Sequence, residues 1–145
     1  MRDELYKVLT APRETAKEIR ELTDQIYELT WSTVPGAIRY DLPRVQTSPE
    51  DRMADTFGAI DEAQRRLVWL CRRKRKEEET VRRLVMACAD LYPDERRILR
   101  ARYLQQEPWQ RIADWIGVTD RRIYQIHREA CAKLEAFLWP EGHKM

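Results

Sequence analysis

Apolar residues recur at helical spacing in three separate stretches of this chain. The first stretch follows Pro12, and its apolar residues lie three or four positions apart: Ala16, Ile19, Leu22, Ile26 and Leu29. Charged residues fill the positions between them, which is typical of an amphipathic helix with a coiled-coil-like stripe. Because proline is tolerated in a first helical turn, we expect this helix to begin at Pro12 and the residues before it to form a separate short helical piece.

The second stretch predicts a long helix over residues 50–91, after an irregular connection at about residues 32–48. That connection is rich in proline, and Ser48-Pro49 followed by two acids is typical of a helix start. The helix carries apolar residues on a repeat of four and three: Met53, Phe57, Ile60, Leu67, Cys71, Val81, Val85 and Cys88. Polar residues at positions 64, 74 and 78 interrupt this seam. The helix is also much longer than the first one, so we expect its far end to pack on the C-terminal unit or on a second copy of the chain.

The third stretch has the spacing of a helix-turn-helix. A helix is predicted to start at Pro93, and polar residues with a proline at 105–108 end it. A short helix then begins at Trp109, Gly117 supplies a left-handed C-terminal position, and Thr119 caps a further helix. Two helical turns, a short glycine-containing turn and a capped second helix together predict a helix-turn-helix, with Trp109 and Trp115 in its small core.

The last helix of this stretch has two different faces. Its inner face is predicted to contain Ile123, Ile126, Ala130, Leu134 and Phe137. Its outer face carries Arg121, Gln125 and Arg128, flanked by Arg122 and Tyr124. These residue types contact phosphates and base edges when a recognition helix lies in the major groove of DNA.

Composition and charge further restrict the fold class and the cellular compartment that we expect. The chain has 145 residues, with 27 Lys and Arg against 25 Asp and Glu. The net charge of only +2 therefore does not indicate which kind of partner the protein binds. The basic run at 72–76 is followed by three acids, which is typical of a solvated, self-paired helix face. Three cysteines at apolar helical positions fit core packing in a reducing compartment. We therefore expect an all-α protein in the cytoplasm, with no membrane span.

The same composition argues against an enzyme. The two histidines, His127 and His143, have no Cys, Ser or carboxylate partners at useful spacing, and the four glycines form no phosphate-binding loop. We therefore expect no catalytic residues, no cofactor and no metal site.

The C-terminal stretch resembles known transcription proteins. The segment GVTDRRIYQIHREACAKL resembles the second half of region 4 of bacterial sigma-70-type factors, through Val118, Thr119, Arg122-Ile123, Gln125-Ile126, Ala130 and Lys133-Leu134. The segment RARYLQQEPWQRIADWIG is instead similar to the RinA- and ArpU-like late-gene activators of phages and prophages, through Arg102-Tyr103, Trp109 and Ile112-Ala113. No part of the chain resembles sigma region 2, so we do not expect a complete sigma factor.

The resemblance to region 4 implies which residues contact DNA. In that family the first two turns of the recognition helix contact the promoter, which implies Asp120, Arg121, Tyr124 and Gln125 here, with Arg122 and Arg128 flanking. Housekeeping sigma factors commonly carry Arg-Glu where this chain has Asp120-Arg121. A different DNA sequence is therefore expected.

The domain organisation that these patterns predict has three parts. Residues 1–91 form an antiparallel helical hairpin or coiled-coil arm, 94–138 form the three-helix DNA-binding domain, and 139–145 form a tail. The predicted partner is double-stranded DNA, bound by a homodimer or higher homo-oligomer that assembles through the arm. RNA polymerase is a second candidate partner.

Two alternatives to a transcriptional regulator stay open from the sequence. A small terminase subunit also combines a helix-turn-helix with helical oligomerisation segments, and it would bind phage DNA for packaging as a ring of many copies. A sigma-like module that binds RNA polymerase, without binding DNA on its own, is the other. The mass of the oligomer distinguishes a small terminase subunit from a regulator. DNA binding in the absence of polymerase distinguishes a regulator from the polymerase-binding module.

Overall fold

The computed structural model describes the backbone of residues 1–32 and 49–143. These residues form five α-helices and a final 3-10 turn at Pro140–His143, with no β-strand among them. The helices are α1 (Asp3–Ser32), α2 (Pro49–Ala87), α3 (Pro93–Tyr103), α4 (Trp109–Ile116) and α5 (Asp120–Leu138). The all-α prediction is confirmed. The predicted irregular connection, apart from Ser32, and the cap at Ser48 lie outside the described residues.

The chain divides into two compact units. Unit 1 contains Met1–Thr15 and Lys74–Met145, and unit 2 contains Ala16–Arg73. Unit 1 thus holds the three helices of the predicted DNA-binding domain together with the first fifteen residues and the end of α2. That residues 94–138 fold as a domain of their own, apart from an arm of residues 1–91, stays a prediction.

The start of α1 differs from the sequence prediction. The helix begins at Asp3, and Pro12 lies inside it rather than in its first turn. A proline within a helix removes one backbone hydrogen bond, which is unfavourable on its own. Here Leu5, Leu9 and Pro12 are all buried in unit 1. Burial of two complete leucine side chains offsets the lost hydrogen bond, since each contributes about 1.5–3 kcal/mol.

The larger core cluster of unit 1 joins four helices. Its buried members are Leu5, Leu9, Val81, Leu84, Val85, Cys88, Leu91, Leu99, Tyr103, Ala130, Cys131 and Leu134. The far end of α2 therefore packs on the C-terminal helices, which confirms the first of the two alternatives expected from its length. The core that supports α5 also includes side chains from the start of the chain, which the sequence analysis did not predict.

The buried positions of α2 depart in part from the predicted seam. Met53, Phe57 and Cys71 are exposed, whereas Ala63 and Leu70 are buried. The repeat of four and three placed Cys71 on the seam, whereas the adjacent Leu70 is the buried residue, and it passed over the small residue Ala63. The exposed Cys71 also means that the prediction of three core cysteines is correct only for the other two.

A polar contact explains why the stripe of α2 tolerates a charged residue. The hydroxyl of Thr15, which is 1% exposed, donates a hydrogen bond to the Glu77 carboxylate within unit 1. A buried hydroxyl needs such a partner, since an unsatisfied one costs about 1–3 kcal/mol. Position 77 therefore faces a neighbouring helix although it is acidic, which a pattern of apolar residues alone does not reveal.

Candidate nucleic-acid interface

The turn between α4 and α5 has the geometry that the sequence predicts. Gly117 adopts a left-handed conformation with φ 80°, and its N–H donates to the Ala113 carbonyl at 2.8 Å. A residue with a side chain is strained at such a position. The Thr119 hydroxyl then accepts a hydrogen bond from the Arg122 N–H at 3.1 Å and caps α5. The turn and the cap together fix where α5 begins.

A second core cluster holds α5 against α3 and α4. It contains Ile98, Ala101, Ile112, Ala113 and Ile123, each at most 3% exposed. The two alanines have small side chains, so the helices can approach closely around Ile123. Trp109, Ile116, Val118 and Ile126 pack against this cluster from its edges. The predicted inner residues of the helix-turn-helix are therefore confirmed, with two exceptions.

The exceptions are Trp115 and Phe137. Trp115 lies at the edge of the buried face of α4, three residues after Ile112, and it is 48% exposed. Phe137 is 47% exposed because it lies one turn beyond Leu134, the last buried residue of α5. Trp139 packs against the larger core cluster at this end of the helix instead.

All six predicted DNA-contacting residues are on the exposed surface of α5. They are Asp120, Arg121, Arg122, Tyr124, Gln125 and Arg128. The spacing of the buried residues places Arg121, Gln125 and Arg128 opposite Ile123, Ala130 and Leu134 on the helix. The roles of these six side chains on DNA stay a prediction.

Arg122 is engaged on one side of this surface. Its guanidinium is 3.4 Å from Oε1 of Gln125 and 3.9 Å from the Glu129 carboxylate. These contacts orient the Gln125 amide so that its oxygen points toward Arg122, and they compensate part of the Arg122 charge. Arg122 thus has partners on α5 itself, and its flanking role on DNA stays a prediction.

The other side of α5 carries a cluster of rings that the sequence analysis missed. Nε2 of His127 is 2.6 Å from the Tyr103 hydroxyl and 3.4 Å from Sγ of Cys131. The Trp109 ring packs edge-on against His127, with centroids 4.6 Å apart, and also contacts the Tyr124 ring at 5.4 Å. The contact with Cys131 corrects the expectation that His127 has no cysteine partner at useful spacing, since Cys131 is four residues further along the same helix face.

Burial keeps the ring cluster uncharged at neutral pH. Burial, and secondarily the positive charge of Arg102, lowers the pKa of His127 to about 4. Burial raises the pKa of Tyr103 and raises that of Cys131 to about 12. Since neutral rings pack more favourably than charged ones, the cluster can hold the Tyr124 side chain in a fixed place on α5, beside the predicted contact residues Arg121 and Gln125.

A buried ion pair ties α5 to the start of α3. Glu95 is 3% exposed, and its Oε1 accepts hydrogen bonds from Nζ of Lys133 at 2.6 Å and from the Tyr92 N–H at 2.8 Å. The same ammonium lies 3.8 Å from the centre of the Tyr92 ring. The hydrogen bond to Glu95 raises the pKa of Lys133. Lys133 therefore has a structural partner inside the domain.

The basic run on α2 is followed by acids, and ion pairs form at its end. Lys74 lies 3.3 Å from the Glu78 carboxylate, and the Glu79 carboxylate pairs with Arg82 and Arg83 at 2.7 and 2.9 Å. These contacts within unit 1 are the i, i+3 and i, i+4 pairs of a solvated helix face, as predicted.

Among the described residues, no helix has the length and apolar character that crossing a bilayer requires.

Comparison with known protein families identifies the C-terminal part of the chain. Residues 87–136, about a third of the chain, match the family model of Sigma-70, region 4. That family is a DNA-binding helix-turn-helix domain, and its match runs from the last residue of α2 almost to the end of α5. No curated protein and no solved structure matches the chain.

Proposed function

We propose that this protein binds double-stranded DNA in a sequence-specific way and regulates transcription of phage or prophage genes, as a late-gene activator. It acts without catalytic activity, in the cytoplasm of the host cell. The observation that carries the proposal is the capped helix α5, whose exposed face carries Arg121, Gln125 and Arg128 within a sigma-70 region 4 domain.

Two side chains on α5 have the chemistry to distinguish bases. The guanidinium of Arg121 can donate two parallel hydrogen bonds to O6 and N7 of guanine. The amide of Gln125 can accept from N6 of adenine and donate to N7. Its Oε1 retains a second lone pair when it accepts from Arg122, so the 3.4 Å contact orients the amide without blocking it.

Substitution of a contact residue and substitution of a core residue should have different effects on stability and on DNA binding. Arg121→Ala removes an exposed side chain, so it should leave the free energy of unfolding nearly unchanged and weaken specific binding by roughly 1–3 kcal/mol. Ile123→Ala opens a cavity at a fully buried position and should cost about 2–5 kcal/mol of stability. Urea denaturation measures the free energy of unfolding, and fluorescence anisotropy with a DNA duplex that carries a selected site measures binding. Together they distinguish the two effects.

We propose that the protein binds a two-half-site operator as a homodimer formed through the helical arm. Met53 and Phe57, which are 45% and 54% exposed on α2, are apolar side chains available to a second copy. Phe57→Asp should then weaken binding to two half-sites much more than binding to one. Equal loss on both would contradict dimerisation through this part of the arm.

The mass of the assembly and the effect on transcription test the biological role. A regulator should be a dimer in solution and should increase transcription from a promoter that carries its site. A ring of many copies would favour the small terminase alternative. Binding to RNA polymerase with no binding to free duplex DNA would favour the polymerase-binding module.

A further inference from the structure

A groove beside the recognition surface has features that the proposed function does not use. It has a volume of about 260 Å³, and it lies within unit 1 between the start of α1 and the helix-turn-helix. One side is formed by Met1 and by Tyr6, Thr10 and Arg13 of α1, and the opposite side by Arg102, Tyr103, Trp109, Tyr124 and His127. No carboxylate is among the lining residues that the structure describes.

Arg102 places a positive charge at this groove, and its contacts among the described residues are with uncharged groups. Its Nη1 donates to the Glu107 carbonyl at 3.1 Å, and its guanidinium packs over the Trp109 ring at 4.8 Å. Both partners are neutral, so they fix the guanidinium in position and leave its charge available to an anion. The same charge contributes to the lowered pKa of the neighbouring His127.

Arg13 adds a second positive charge from a different part of the chain. It is exposed on α1, one turn beyond Thr10, whose hydroxyl donates its proton to the Tyr6 carbonyl at 2.7 Å and so is not a donor to an anion. Tyr6 is 55% exposed and presents a phenol hydroxyl in the same groove. Arginine guanidinium groups and a tyrosine hydroxyl are among the groups that proteins use to contact phosphate.

The position of the groove indicates which phosphate it meets. Tyr124 lines the groove and also belongs to the first two turns of α5, which the proposed function places in the major groove of DNA. Tyr124 further packs on Trp109, so the groove and the recognition surface share one wall. A duplex that contacts Arg121 and Gln125 brings the sugar-phosphate backbone bordering the major groove to this side of α5.

We propose that the groove formed by Arg13 and Arg102 binds a phosphate of the DNA backbone next to the bases that α5 contacts. This inference rests on the proposed function. It gives the start of α1 a second role besides its place in the core, since α1 supplies a DNA contact outside the helix-turn-helix. The ligand is a phosphodiester of the same duplex rather than a small free anion.

Arg13→Ala is the direct test, because Arg13 is exposed and its loss leaves the core intact. The variant should bind every duplex, specific or random, about 5–10-fold more weakly, and the slope of log affinity against log salt should fall by about 0.9. Lys7→Ala is the matched control, because it removes the same charge from an exposed position of the same helix that does not line the groove. Arg13→Lys should recover part of the affinity.

The outcomes separate this inference from the proposed function. If Arg13→Ala behaves like Lys7→Ala while Arg121→Ala relaxes base preference, the groove proposal is overturned and the proposed function stands. If the parent protein binds no duplex, both are overturned. Titration of the DNA-free protein with inorganic phosphate and pyrophosphate, followed by NMR of the Trp109 indole, identifies the source of the phosphate. Micromolar binding of either anion alone would assign the groove to a small ligand and overturn the DNA contact.

Discussion

The role of α1 in the core of the DNA-binding unit can be tested with Leu9→Ala. Leu9 is completely buried among residues of α2, α3 and α5. The substitution removes three carbons, which corresponds to about 2.4 kcal/mol of transfer free energy at about 0.8 kcal/mol each. The surrounding side chains come from several helices and cannot all collapse into the space, so a cavity contribution brings the expected loss to about 3–5 kcal/mol. Helix propensity does not contribute to the loss, since alanine favours helix at least as well as leucine.

The assay is urea denaturation followed by tryptophan fluorescence and, in parallel, by DNA binding. Leu9→Ala should lower the midpoint of unfolding, and DNA binding should be lost at the same urea concentration at which tryptophan fluorescence reports unfolding. Lys7→Ala, two residues away and exposed, should change stability by less than about 0.5 kcal/mol. If Leu9→Ala leaves both stability and DNA binding unchanged, the helix-turn-helix does not depend on the start of α1, and the core described for unit 1 is wrong.

Two further predictions concern the supports of α5. The pKa of His127 is lowered from 6.5 to about 4 in the folded protein, so the unfolded chain binds a proton more readily. The free energy of unfolding should therefore fall as pH decreases from about 6.5 to 4, by about 1–2 kcal/mol after solvent screening. His127→Gln should lack this loss in a pH series of urea denaturation, and an identical pH profile in both proteins would contradict the prediction. Lys133→Met leaves the buried Glu95 carboxylate without its ion partner and should cost about 2–3 kcal/mol in thermal unfolding. Adding Glu95→Gln should restore part of that loss, and additive destabilisation in the double variant would argue against the pair.

The helix-turn-helix was predictable because its determinants are local. Pro93, Gly117 and Thr119 each set a backbone position through a property of one residue, and the structure places a helix start, a left-handed turn and a cap at these positions. The exposed face of α5 followed from the same periodicity. These features require no knowledge of what packs against them.

The contacts of the helix-turn-helix with the start of α1 were not predictable in this way. Pro12 was interpreted by its local preference for a first turn, whereas burial of Leu5 and Leu9 continues the helix through it. The His127 ring cluster and the groove at Arg102 join residues from separate helices, so they depend on tertiary packing. The seam of α2 was partly misassigned because Glu77 and Ala63 are buried or half-buried for reasons that lie on neighbouring helices. A single sequence shows which residues are apolar, but not which partner each one meets.

The most direct test of the central claim is selection of bound sequences from random duplex DNA, with the parent protein and with Arg121→Ala and Gln125→Ala. If α5 contacts bases as proposed, the parent should enrich one motif, and each variant should lose preference at one or two base pairs while retaining its stability. If the parent enriches no motif, or if both variants select and bind the same site as the parent across a salt series, α5 does not recognise DNA sequence.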